Sequence, residues 1–165
     1  MSLQSVKQYL EQFNRQQDVL LFESSSATVT EAANVLNVIP ARIAKTLSFQ
    51  TASQPILIVA AGDAKIDNAK FKQQFKIKAK MLDGSLVLEQ TGHPVGGVCP
   101  FGLANDLPVF LDVSLQRFAT IFPACGSPNS AIELTCQELE QYSKALAWVD
   151  VCKGWNESVT EHVSV

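Results

Sequence analysis

The sequence predicts a single domain of mixed α and β structure. Its 165 residues suit one core, which at this length buries roughly two thirds of the unfolded surface. Apolar positions switch along the chain between helical spacing and short strand-like runs, and turn-rich stretches separate the two patterns. Apolar residues make up 47% and charged residues 18%, as in globular proteins, and no internal repeat or low-complexity tract is visible. No basic segment precedes an apolar run at the N-terminus, and no stretch approaches 18 apolar residues. The expectation is therefore a cytoplasmic protein without a membrane span.

Leu3, Val6, Leu10 and Phe13 recur at helical spacing, which predicts an amphipathic helix over the first fifteen residues. Val19–Phe22 reads as a short buried strand. Thr28 with Glu31 forms a capping-box pattern for a helix that turns Ala32, Val35 and Leu36 inward and breaks at Asn37–Pro40. Pro40 suits the first turn of a short helix over Ala41–Lys45. Leu47–Gln50 and Ile56–Ala61 read as a hairpin whose second strand is apolar on both faces and so central in its sheet.

Asn68–Phe75 is predicted as a helix, Ile77–Met81 as a strand and Ser85–Gln90 as a helix. Val109–Asp112, Thr120–Phe122 and Ala131–Leu134 follow as strands, with a helical link at Ser114–Phe118. Thr135 with Glu138 caps a helix reaching Ser143, and Leu146–Val151 is the last strand, with Trp148 in the core. The domain is placed at residues 1–152 and a polar tail at 153–165, where Asn156-Glu157-Ser158 is a sequon without secretory context.

Cys99, Cys125, Cys136 and Cys152 match no Cys-x-x-Cys pattern, and the two histidines are His93 and His162, the latter in the tail. Free thiols, no metal and no cofactor are expected. The net charge of −3 argues against a general double-stranded DNA binder. A basic strip stands out nonetheless: Lys65, Lys70, Lys72, Lys76, Lys78 and Lys80 place six of thirteen basic residues within sixteen positions. It reads either as a solvated face or as a contact for the phosphates of a nucleic acid, with Lys65, Lys70 and Lys72 the candidates.

Thr91-Gly92-His93-Pro94-Val95-Gly96-Gly97-Val98-Cys99-Pro100-Phe101-Gly102 holds four of the eight glycines and two of the seven prolines. Such a run forms a shaped loop whose bare backbone can present N–H groups to a ligand oxygen. It resembles the glycine-rich loop of the YbaK/EbsC family, related to the editing insertion domain of bacterial prolyl-tRNA synthetase. Ile43-Ala44-Lys45-Thr46-Leu47, Ala61-Gly62-Asp63 with Ile66-Asp67, and Ser130-Ala131-Ile132-Glu133-Leu134-Thr135 are similar to that family in the same order. The resemblance implies an α+β domain with a mixed, curved or barrel-like sheet surrounded by helices. It also implies a trans-acting deacylase that removes a wrong amino acid from tRNA, with aminoacyl-tRNA and an aminoacyl-tRNA synthetase as partners.

The resemblance assigns Lys45 to substrate binding and catalysis. N–H groups from Gly96 and Gly97 are candidates to hold the ester carbonyl. His93 is either an acid or base, since imidazole titrates near pH 6.5, or a residue that shapes the pocket. Gly92, Val98, Pro100, Phe101 and Gly102 of this loop, Asp63, and Gly126, Ser127 and Ser130 of a second turn-rich segment, Pro123–Ser130, are the expected substrate contacts. Relatives that clear cysteine carry a serine at Ala124 and a tyrosine at His93, so alanine, serine and threonine join cysteine as expected substrates. Three other readings stand: a non-catalytic binding module of the same fold, a helix-turn-helix DNA binder built on residues 28–45, and a cysteine hydrolase using Cys99 with His93.

Overall fold

Residues 2–155 are described by a computed structural model; Met1 and residues 156–165, including the sequon and His162, lie outside the described residues. The elements in order are α1 (Ser2–Leu10), β1 (Leu20–Leu21), α2 (Val29–Leu36), β2 (Ile43–Phe49), β3 (Ile56–Ala61), β4 (Lys65–Ile66), α3 (Asn68–Phe75), α4 (Gly84–Thr91), β5 (Val109–Asp112), β6 (Phe122–Pro123), β7 (Ser130–Ala131), α5 (Cys136–Ser143), β8 (Ala147–Val149) and β9 (Cys152–Lys153). Five strands make a mixed sheet in the order β6-β2-β3-β5-β8. Only β2 and β3 run antiparallel in it; the other three pairings are parallel. β1 pairs with β7, and β4 with β9, as small antiparallel ribbons.

The β2–β3 hairpin is the centre of the molecule. All six residues of β3 are buried, as expected of a strand covered on both faces. Its register places Lys45 opposite Ala60 and Phe49 opposite Ile56. Phe49 meets Phe71 of α3 at 4.9 Å between ring centroids, while Val6 and Leu10 of α1 are fully buried in the same core. Both capping boxes form, Thr28 with Glu31 and Thr135 with Glu138, each cap contributing about 1 kcal/mol. Asn37 closes α2 in the left-handed conformation at φ 57°.

Four segments differ from the sequence expectation. Leu20 and Leu21 are exposed, because they pair with the short β7 and not with the central sheet. Pro40–Arg42 makes a single 3-10 turn, and the strand starts at Ile43 because Ile43 and Ala44 pair with β6. The recognition helix of a helix-turn-helix is thereby absent. Ile77–Met81 is an extended segment joined to the sheet by one bridge, Met81 to Phe49. Lys153, assigned to the tail, pairs with Lys65 in β9.

The glycine-rich loop leaves α4 at Gly92, whose φ of 82° closes the helix. A tight turn follows, with the Gly97 N–H donating to Pro94 O at 2.9 Å and Gly96 at φ 93°, the positive value a type II turn requires at its third position. A Cβ on Gly97 would lie 2.7 to 2.9 Å from backbone atoms of Gly126 and Ser127, so only glycine lets the two loops touch. His93 is fully buried. The Ser2 hydroxyl donates to its Nδ1, its Nε2 meets Phe101 O at 2.7 Å, and burial holds its pKa below 6.5.

Two outcomes follow. Gly97→Ala forces the loops apart and lowers stability by about 1 to 3 kcal/mol, measurable as a drop in urea midpoint. Because the folded imidazole has the lower pKa, the unfolded chain binds the extra proton as pH falls below 6.5. Wild type therefore loses stability between pH 7 and the acid side of that value, and His93→Gln shows less of this loss in paired urea titrations.

Candidate functional site

A cavity of about 360 Å³ lies along β2. Its walls are Ser26 to Val29 at the start of α2, Ile43 to Ser48 of β2, Leu82, Val87 and Met81, and Val95, Gly96 and Val98 of the glycine-rich loop. Ala32 of α2, Gly84 of α4, Phe122 and Ala124, and Ser130 and Ala131 of β7 complete it. The lining is mostly small and aliphatic, and Lys45 is its only charged side chain among the described residues.

Lys45 is held at this wall because it sits in β2 opposite Ala60 of the fully buried β3. Its ammonium donates to Ala64 O at 2.5 Å and Gly62 O at 3.3 Å. Burial lowers its pKa from the ordinary 10.5, opposed by the neighbouring Asp63 carboxylate. The turn that supplies the two carbonyls is itself braced. Asp63 holds Arg117 through two bonds of 2.6 and 3.1 Å, and the guanidinium lies 4.9 Å from the rings of both Phe118 and Trp155.

Of the residues expected from the sequence, Lys45, Gly96, Val98 and Ser130 share the cavity. The others stand behind it or elsewhere. The Gly97 N–H is committed to its turn, whereas no hydrogen bond within the described residues uses the Gly96 N–H. Both ring nitrogens of His93 are engaged away from the cavity. Ser127 bonds the Ser130 hydroxyl at 2.8 Å, Gly126 packs on Ser2, and Phe101 is in the core. Pro100 and Gly102 line a different cavity of about 260 Å³ with Tyr9 and Lys144, Gly92 caps α4, and Asp63 belongs to the Arg117 pair. Among the three lysines, Lys65 and Lys72 are exposed and Lys70 is engaged by Asp150 and Cys152 O.

Thr46, Ser48, Thr28 and Ser26 are cavity residues that the sequence reading missed. Serine and threonine on a strand and at a helix cap carry no spacing signal of their own; the usable clue was their adjacency to Lys45 and to the capping box. Cys99 lies 3.6 Å from His93 Nε2, but burial pushes its thiol up to about 12, which keeps it protonated and unfit as a nucleophile. Among the described residues no cluster of three or more His, Cys, Asp or Glu could hold a metal, and no helix is long and apolar enough to cross a membrane.

A family model described as the aminoacyl-tRNA editing domain matches residues 23–142. The uncharacterized protein YwhH of Bacillus subtilis is 62% identical over 156 residues, spanning 94% of this chain and 99% of that protein. A proline–tRNA ligase of Moorella thermoacetica is 33% identical over 89 residues, which are 53% of this chain and 15% of the ligase. A solved structure described as a candidate trans-editing enzyme for prolyl tRNA synthetase superposes with a TM-score of 0.84 at 27% identity, covering 93% of this chain and 98% of the other. The hypothetical protein APE2540 superposes at 0.77 with 26% identity, covering 88% and 99%. The matched region contains every wall of the cavity from Ser26 to Ala131, and the chain belongs to the aminoacyl-tRNA editing domain family.

Proposed function

We propose that this protein is a trans-acting aminoacyl-tRNA deacylase that hydrolyses the ester of tRNA mischarged with alanine, serine, threonine or cysteine. The observation that carries the reading is the small, mostly aliphatic cavity with one lysine fixed in its wall. An aminoacyl ester is already activated, so catalysis needs a positioned water and a stabilised oxyanion. The Gly96 N–H supplies a donor from a rigid turn, and Lys45 supplies positive charge beside the ester or the terminal phosphate. His93 and Gly97 act through the loop, by holding Gly96 in place.

The basic strip meets tRNA phosphates in this reading, chiefly through the exposed Lys65 and Lys72, with Lys70 shared with Asp150. A prolyl-tRNA synthetase is the natural partner, since both the ligase relative and the candidate trans-editing enzyme point to that system. The cytoplasm is the compartment where it would act. One observation favours the binding-module reading: among the described residues the cavity wall offers no carboxylate or imidazole as a general base. The deacylase reading answers this with a hydroxyl of the terminal ribose, which can orient the water itself.

Lys45→Ala is expected to lower the single-turnover rate of release of labelled amino acid from a mischarged tRNA by about 100-fold or more, the scale of removing one electrostatic stabiliser. A folded variant with undiminished turnover removes Lys45 from the mechanism; retention of tRNA by wild type without turnover on any of the four charged species supports the binding module.

A further inference from the structure

The two neighbours of β2 on its outer side leave a gap between them. β6 pairs with Ile43 and Ala44, and the next contact on that side is the Leu82 N–H on Ser48 O, beside the Met81 bridge at Phe49. Lys45 to Leu47 therefore present about 10 Å of unpartnered strand edge, at ~3.3 Å per residue. That stretch is wall of the cavity. Edges are normally blunted by charge or covered by another element; here α2, α4 and the glycine-rich loop enclose it and leave space.

Strand geometry decides which backbone groups face the gap. Leu82 N donates to Ser48 O, and Gln50 N to Lys80 O, so the even-numbered residues of β2 aim N–H and C=O outward. The other strand agrees: Leu57 N donates to Pro108 O and Ala61 N to the Ser114 hydroxyl. The odd residues of β3 thus face β5, and its even residues face the odd residues of β2. Thr46, opposite Val59, is consequently in a pair whose hydrogen-bonding groups point away from each other. Its N–H and C=O, together with the Ser48 N–H, meet no partner among the described residues.

We infer that this notch binds the aminoacyl group as a one-residue antiparallel strand. The substrate's α-ammonium donates to Thr46 C=O, its ester carbonyl accepts from Thr46 N–H, and the Ser48 N–H takes a further oxygen of the ribose. A residue in an antiparallel sheet exchanges the same two bonds with its partner. The occupant is a single aminoacyl unit and not an extended peptide, because this chain's own segments, at Pro123 and at Met81, close both ends of the gap. The arrangement reads the group common to every amino acid through the backbone and leaves the aliphatic walls to sort side chains by size. This inference rests on the deacylase reading and deepens it.

The test uses ¹⁵N-labelled full-length protein titrated with 3′-alanylamino-3′-deoxyadenosine, a stable amide of the tRNA end, and with its N-acetyl derivative. The Thr46 and Ser48 amide resonances are expected to shift with the first ligand, and acetylation to weaken binding at least tenfold. No shift at these amides up to millimolar ligand, or equal binding of the acetylated form, overturns the notch. Mischarged-tRNA hydrolysis is run beside it. Hydrolysis without Thr46 shifts removes the notch and keeps the deacylase, while Thr46 shifts without hydrolysis keep the notch and remove the deacylase.

Discussion

The pairing of β2 with β3 is the constraint on which the rest depends. Six successive residue pairs from Ala44–Ala61 to Phe49–Ile56 lock β2 to a strand buried along its whole length. That rigidity has a direct consequence at the cavity. Lys45 leaves from a fixed backbone and its ammonium is tethered by two carbonyls of the turn that ends β3, so the charge is placed with little freedom. Sites carried on strands hold their geometry better than sites carried on loops.

The opposite wall is a loop, and its stiffness comes from contacts that exclude side chains. Gly97 touches the backbone of residues 126–127, Gly102 touches Ser5 O, and Gly126 touches Ser2. The buried His93 ties the same loop to Ser2 and Phe101. The N-terminal helix thus reaches the site through the loop, although none of its residues lines the cavity. A histidine beside a cysteine within a glycine-rich turn invites a catalytic assignment; the geometry gives it a packing role, with both nitrogens occupied.

Much of the fold was legible because local signals agreed with the tertiary outcome. Both capping boxes, the hairpin and the α3 boundaries follow from side-chain chemistry at adjacent positions. Elements set by partners distant in sequence were not legible. Pro40 announces a helix, but Ile43 and Ala44 are drawn into the sheet by β6, some eighty positions away. Leu20 and Leu21 look like a core strand and lie exposed on a ribbon. In the candidate site, the shaped loop was readable from its glycines and prolines and Lys45 was singled out by the family resemblance, while the Thr46 edge was not legible. An unpartnered backbone edge depends on which strands fail to arrive, and no residue type encodes that.

On the proposed function, the aminoacyl end of tRNA enters the cavity beside β2. A crystal structure with a stable aminoacyl-amide analogue of the tRNA acceptor end tests it most directly. The amino acid is expected between Lys45–Ser48 and the Gly96 turn, with its side chain against the aliphatic walls. An amino acid seated instead in the second cavity, against Tyr9, Pro100 and Lys144, contradicts it.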